Sequence, residues 1–361
     1  MQPELIPPQR VPEQLPPPPS NGLAGAQSSL EARARELHEE RDPAALALLL
    51  AGTDRSVVIA SPSFAFWLAD AWRRLGRGAE ALALLAEAAP AFARYGNDAL
   101  HRHRLNLEGM LRFDAGEVAA AESSWRALLA AASEAADDDF VARANNNLGV
   151  ICTLHGRWQE AITCYERALV AYRSIGRRRG LAQAHQNLAI TYRELDFAPK
   201  ADHHFLQAIR YASVDASEDE IARAEQERAL LIYIAQHDAA LARATAQRAL
   251  TRFEQLGERG ATADTLRVLG IIEIGEGQLE RATRLLNSAL ERARDARLPI
   301  VEAETLEALA AVLEQRRDVQ LAATLRRDAE HLFGRIGATA WGRRTRSRIA
   351  RIALRAAPAR S

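Results

Sequence analysis

The sequence is poor in several residue types that define common classes of protein. Of its 361 residues only two are cysteines, Cys152 and Cys164, and aromatic residues make up 6%. Two cysteines cannot build a disulfide framework, and we expect both to be small buried apolar residues rather than redox or nucleophilic groups. The scarcity of aromatic and β-branched runs excludes an all-β fold. Alanine, leucine, glutamate and arginine are abundant instead, and these helix formers predict an all-α protein.

Charge and hydropathy exclude further classes. The 47 basic residues, of which Lys200 is the one lysine, balance 47 acidic residues. A net charge of zero gives no general attraction to nucleic acid, so no specific nucleic-acid partner is expected. No run of 18 apolar residues could span a membrane, and the N-terminus lacks the charged-then-apolar pattern of a secretion signal. We therefore expect a cytoplasmic protein, and the sequence does not predict its oligomeric state.

Motifs that carry catalytic chemistry are also missing. The sequence contains no glycine-rich phosphate-binding motif, no serine nucleophile elbow and no HExxH zinc motif. Its close histidine pairs are His101 with His103 and His203 with His204. Adjacent residues of a helix point apart, so His203 and His204 cannot chelate a metal ion together. We expect no catalytic residue, no metal site, no cofactor and no enzymatic activity.

The two ends of the chain differ from its middle. Residues 1–27 hold eight prolines among the first 20 residues and are predicted to be a disordered tail, with a ligand for an SH3-type domain as the alternative. Residues 28–60 predict two short capping helices, the second begun by Asp42 and Pro43. Residues 338–361 are rich in arginine and carry no acid. They predict a C-terminal capping helix and tail, whose arginines could instead bind an acidic partner, RNA or lipid head groups.

The middle of the chain, residues 61–337, repeats. Alanines recur at intervals of 40 or 41 residues, at positions 81, 121, 161, 201, 242, 282 and 322. Five residues before each alanine lies a turn-forming residue or its neighbour, such as Gly76, Gly156 or Asp238. Each interval predicts two antiparallel helices, A and B, joined at that turn and packed closely through small pairs such as Gly149 with Ala161. One such pair cannot bury its apolar face alone, so about seven pairs should stack into a solenoid with capping helices at both ends.

The residues Asn146-Asn147-Leu148-Gly149, followed by Gly156-Arg157-Trp158 and Ala161, resemble a tetratricopeptide repeat. The 40-residue interval is similar to the longer repeats of kinesin light chains and of bacterial regulators related to the maltose activator. This resemblance implies a right-handed superhelical solenoid whose A helices line a concave groove. It further implies that asparagines in the groove hold the backbone of an extended peptide.

Polar positions on helix A are the candidates for such a site. They are listed here in chain order: Arg143, Asn146, Asn147, Asn187, Arg193, Arg228 and Arg267. An asparagine amide can both donate to and accept from a peptide backbone, and an arginine can meet a carboxylate. The alternative is that these groups bond between neighbouring helices.

We therefore expect a non-catalytic interaction scaffold or adaptor that binds an extended segment of a protein or peptide partner in the groove. The alternative function is a regulatory subunit that senses a peptide or metabolite and acts on a separate transcription or signalling partner.

Overall fold

The computed structural model describes residues 26–356, and residues 1–25 of the predicted proline-rich tail lie outside this range. Within it the chain forms nineteen α-helices, one π-helical turn and no strand. The predicted all-α fold of consecutive antiparallel helix pairs is confirmed. The described part of the chain divides into two compact units, unit 1 up to residue 144 and unit 2 from residue 145, with the division inside the ninth helix. No helix in the described range is both long enough and apolar enough to cross a membrane.

Unit 1 begins with six short helices and continues with helices of 17 residues. They are α1 (Ala26–Glu39), α2 (Pro43–Ala51), α3 (Arg55–Ala60), α4 (Pro62–Arg74), α5 (Gly78–Glu87), α6 (Ala89–Tyr95), α7 (Asp98–Asp114), α8 (Val118–Glu134) and the first part of α9 (Asp138–Leu154). Three helices rather than the predicted two precede residue 61, because the Asp54 side chain accepts from the Ser56 backbone N–H and begins α3. The repeat's first B helix is divided into α5 and α6 near Pro90, which lacks a backbone donor.

Unit 2 contains long, regular helix pairs. After α9 they are α10 (Trp158–Ser174), α11 (Arg178–Glu194), α12 (Ala198–Val214), α13 (Glu218–Leu231), a π-helical turn (Ile232–Gln236), α14 (Ala239–Leu256), α15 (Arg259–Gly275), α16 (Leu279–Asp295), α17 (Pro299–Gln315), α18 (Val319–Arg335) and α19 (Thr339–Ala356). The odd-numbered members α11, α13, α15 and α17 are the A helices of unit 2, and the even-numbered ones are its B helices. The apolar core lies between the two sets.

The turn from A to B follows the predicted positions with one difference. Gly156 has φ 73° and Asp196 has φ 61°, so each ends its A helix in the left-handed conformation. In two later repeats that conformation is adopted by His237 and Arg317. The aspartates directly after them begin the B helices instead, since their side chains accept from backbone N–H groups of α14 and α18.

The small residue of helix A makes room for a large side chain of helix B. A Cβ atom placed on Gly149 would lie 2.5 Å from Cε1 of Tyr165, which lies one turn beyond Ala161. The space that the sequence analysis gave to an alanine contact is therefore occupied by the tyrosine ring. The same relation holds between Gly270 and Leu286.

Candidate functional site

The last helix, α19, lies along the A helices of unit 2. Near its start, the indole N–H of Trp341 donates to Oε1 of Glu304 on α17 at 2.9 Å. Further along, Arg351 donates to Asp196, just beyond α11, at 3.2 Å. At its end, Arg355 donates to a backbone carbonyl in the π-helical turn after α13. One helix thus contacts residues from three different repeats of the unit.

Arg348 is the centre of this contact. Its side chain is 4% exposed and forms an ion pair with Glu194 at the end of α11. Oε1 of Glu304 lies 3.6 Å from the same guanidinium. The hydroxyl of Thr345, one turn earlier on α19, also donates to Glu304 at 3.1 Å. A buried guanidinium held by carboxylates of two A helices fixes both the register and the rotation of α19.

The ion pairs continue along the A helices. Arg193 lies 3.2 Å from Glu194 and 2.5 Å from Glu227 of α13. Arg267 of α15 lies 2.6 Å from Asp264 and 3.2 Å from Glu304. We call the following seven residues the arginine–carboxylate network: Arg193, Arg267, Arg348, Glu194, Glu227, Asp264 and Glu304. Its three cations are all almost fully buried, so solvent screens their interactions only weakly.

The pKa shifts in the network show where charge is well matched and where it is not. Burial lowers the pKa of Arg348, and the nearby charges of Arg193 and Arg267 lower it further. Burial alone would raise the pKa of Glu227, but Arg193 and Arg267 outweigh it and the pKa is lowered. Burial raises the pKa of Asp264 beyond what Arg267 offsets. Arg348 is thus the cation whose charge is stabilised least.

A second contact flanks the network. The Arg346 guanidinium binds the Glu307 carboxylate with Nε 3.0 Å from Oε1 and Nη2 2.6 Å from the same oxygen. It also donates to Glu330 of α18 at 2.7 Å. The Glu307 side chain is 1% exposed, and Arg326 of α18 lies 3.7 Å from its other oxygen, so α18 and α19 together enclose this carboxylate.

The three predicted asparagines lie on the neighbouring A helices α9 and α11. Nδ2 of Asn187 donates to Oδ1 of Asn146 at 3.1 Å, which joins the two neighbouring A helices. Asn147, next to Asn146, is half-buried. Bonding between helices, which the sequence left open as the alternative, is therefore present at two of these positions, Asn146 and Asn187. A role in peptide binding stays a prediction for all three.

The structure brings only two of the four predicted arginines together. Arg193 and Arg267 belong to the network. Arg228 turns instead to α12, where its Nε donates to Asp202 at 2.7 Å. Arg143, in unit 1, donates to Asp139 one turn earlier on its own helix at 2.8 Å.

Sequence reasoning missed Arg348 as the partner of Glu194 and Glu304. The usable signal was the complementarity between an acid-free final helix and acidic residues on successive A helices. Contact between Arg348 and Glu194 spans 154 residues of sequence. Local periodicity does not report a pairing over that distance.

The histidines and cysteines outside the network are packed against other side chains. His185 of α11 and His204 of α12 stack with ring centroids 5.1 Å apart, while His203 meets His204 edge-on. Burial lowers the pKa of His185 and of His204 to about 4, so both are neutral at pH 7.

A hydrogen bond with Cys164 and burial raise the pKa of the Cys152 thiol. Between residues 26 and 356, no three histidine, cysteine or acidic side chains are arranged to hold a metal ion.

A surface cleft of about 410 Å³ lies between α15 and α16. Its lining includes Arg259, Glu291, Arg292 and Asp295, and it shares no residue with the network.

Comparisons with known proteins agree with this fold. The tetratricopeptide repeat family model matches residues 101–174 and 140–213, so the chain contains tetratricopeptide repeats, as the sequence predicted. No match to the chain is found among curated protein sequences.

Solved structures similar to this chain share its fold. A Rap protein crystallised with competence and sporulation factor has a TM-score of 0.61 and 14% identity, over 91% of this chain and 98% of that chain. NprR in complex with its peptide NprX has a TM-score of 0.56 and 15% identity, over 76% and 81%. The Rap conjugation regulator of plasmid pLS20, in complex with the Phr* peptide, has a TM-score of 0.55 and 12% identity, over 86% and 95%.

Proposed function

We propose that the protein is a non-catalytic binding module that holds a segment of a protein or peptide partner on its A helices. The observation that carries this proposal is the seating of α19. The A helices of unit 2 already bind one polypeptide segment, through a buried guanidinium, an indole N–H and a bidentate arginine contact. A surface that holds one such segment has the donors and acceptors to hold another.

The similar structures support the same proposal. Two of them were solved with a peptide bound and one with competence and sporulation factor, and each has the fold of this chain. We assign the partner's contacts to the predicted positions Asn146, Asn147 and Asn187, because Arg193 and Arg267 are buried in the network and Arg228 is held by Asp202. Within unit 2, the asparagines of α9 and α11 offer amide groups that can pair with both the N–H and the C=O of a peptide backbone.

The test is a binding measurement with defined peptides. Peptides selected from a random display library by the full chain are labelled, and their dissociation constants are measured by fluorescence anisotropy. We expect the double variant Asn147→Ala/Asn187→Ala to bind about tenfold or more weakly, because it loses several hydrogen bonds of about 1 kcal/mol each. Asn287→Ala, at an exposed position on the B helix α16, is the matched control. Equal affinity of the double variant and wild type would refute the assignment.

A second candidate function is a regulatory subunit that senses a peptide or metabolite and acts on a separate signalling or transcription partner. The observation that favours it is that α19 covers carboxylates of the A helices, so a ligand on these helices would change what the protein exposes. Solution scattering with and without a selected peptide distinguishes the two functions. A regulator changes its radius of gyration on binding, whereas a scaffold does not.

A further inference from the structure

The helix α19 presents a defined stripe to the A helices of unit 2. The buried side chains of its stripe are Trp341, Thr345, Arg348, Ile349 and Ile352. Their spacing of i, i+4, i+7, i+8 and i+11 places them on one side of a helix. A helix that binds the A helices in the same way needs an aromatic residue, a small hydroxyl residue, an arginine and two β-branched apolar residues at this spacing.

Most of the polar contacts between α19 and the rest of unit 2 are ion pairs, and in each of them α19 supplies the cation. Every described charged residue of α19 is an arginine, and four of these arginines face acidic groups, whereas Arg355 meets a backbone carbonyl and His237. Arg346 meets Glu307, Arg348 meets Glu194, and Arg351 meets an aspartate beyond α11. Without α19, the remaining network has four carboxylates and only two guanidiniums. The bare surface would therefore attract a cationic helix.

The hydrogen bonding between α19 and the A helices is also incomplete around Arg348. Nε of Arg348 is buried and has no hydrogen-bond partner among the described residues, and Nη1 of Arg267 is in the same position. A buried donor without a partner is destabilising, and so is a buried cation beside two others. Polar contacts of this kind fix a geometry while adding little net stability, so α19, like a helix that replaces it, is held mainly by its apolar residues Ile349 and Ile352.

The link before α19 permits release. Only Ile336, Gly337 and Ala338 separate α18 from α19, and Gly337 has φ 67°. A rotation at this glycine would change the direction of α19 relative to α18 and carry it away from the A helices.

We propose that the acidic surface formed by Glu194, Glu227, Asp264, Glu304 and Glu307 is a docking site for an arginine-bearing amphipathic helix of a partner protein, and that α19 is its built-in competitor. This inference rests on the proposed function and adds to it the chemistry of the partner and the way access is controlled. A partner helix with the stripe described above replaces α19 on the A helices.

The test measures binding in trans of a labelled synthetic peptide of residues 338–356 to the full-length chain. In wild type the attached α19 competes, so the peptide binds weakly. Arg348→Glu places a fifth carboxylate among those of the network and ejects the attached helix. We expect this variant to bind the wild-type peptide at least tenfold more tightly than wild type does. Arg343→Glu, the same charge change at an exposed position of α19, is the matched control and should leave the affinity unchanged.

Arg346→Glu is the second variant, since it repels Glu307 and Glu330 without entering the network. It decides the matter if Arg348→Glu fails to fold by circular dichroism, and the same gain in affinity is expected. A peptide of the same composition in scrambled order should bind neither variant, and binding of the true peptide should weaken as salt is raised.

The inference is overturned if the folded variants bind the peptide no better than wild type, or if the scrambled peptide binds equally well. It is also overturned if light scattering shows that wild type exchanges α19 within a dimer, because a second copy would then be the occupant. The proposed function is judged separately by the library peptides and Asn147→Ala/Asn187→Ala. Library peptides that bind through the asparagines would uphold that function even where the α19 peptide does not bind.

Discussion

Removing one charged side chain from the arginine–carboxylate network should lower the free energy of unfolding. The size of the loss should depend strongly on whether that side chain is a carboxylate or an arginine. Glu194 is shared by two buried cations, Arg193 and Arg348. Replacing it with leucine leaves both guanidiniums short of a partner in an environment where solvent does not compensate. Breaking buried pairs in this way costs about 3–5 kcal/mol of folding free energy.

Removing Arg348 is the opposite case. In Arg348→Met, Glu194 keeps Arg193, and Glu304 keeps Arg267 at 3.2 Å. The variant also relieves the burial and the cation repulsion that lower the pKa of Arg348. We expect its cost to be at most about 2 kcal/mol, and the double variant Glu194→Leu/Arg348→Met to be more stable than Glu194→Leu alone.

The assay is urea-induced unfolding followed by circular dichroism at pH 7. Arg343→Met, exposed on the same helix, is the control and should stay within about 0.5 kcal/mol of wild type. If Arg348→Met is as costly as Glu194→Leu, or if the double variant is the least stable of the three, the reasoning on charge balance is refuted.

Two further predictions concern unit 2. His185 and His204 have folded-state pKa values of about 4 against an unfolded value near 6.5, so the unfolded chain binds more protons between these values. The stability they contribute is complete above about pH 6.5 and is lost as the pH falls towards 4, measured as a falling melting temperature that His204→Gln makes less steep. Gly149→Ala should destabilise by about 1–3 kcal/mol in urea unfolding, since its Cβ would meet Tyr165, whereas Gly334→Ala on α18 meets open space and should stabilise by up to about 1 kcal/mol.

Both of these predictions carry an internal comparison. His203 is exposed and lowers the pKa of His204 less than burial does, so His203→Gln should change the pH dependence much less than His204→Gln. An equal effect of His203→Gln and His204→Gln would contradict the burial argument. Gly149→Ala as stable as Gly334→Ala would show that the tyrosine ring moves aside without cost.

The sequence was sufficient to predict the class of fold because its signals are local and repeated. An alanine every 40 residues and a turn former five residues earlier identify each helix pair without knowledge of its neighbours. Where the pattern is ambiguous the local detail differs: Asp238 begins α14, while the left-handed turn falls on His237. An aspartate is favourable both in a turn and at the start of a helix, so sequence alone did not separate these roles.

The candidate site was less predictable because it depends on distant pairing. The register of the repeat identifies Glu194 and Glu227 as inward positions, but not the group they face. Glu227 faces Arg193, whereas Glu194 also faces Arg348 of α19, and only the folded unit brings Glu194 and Arg348 together. The excess of arginine in residues 338–361 is evident from the sequence. The sequence does not indicate that these arginines pair with acidic residues of the A helices.

Hydrogen exchange of the full-length chain, with and without a library-selected peptide, tests the central claim most directly. If the A helices of unit 2 are the binding surface, added peptide should slow exchange in α11, α13 and α15 and leave the B helices α12, α14 and α16 unchanged. Protection confined to the B helices, or to the cleft beside Arg259 and Arg292, would contradict the account.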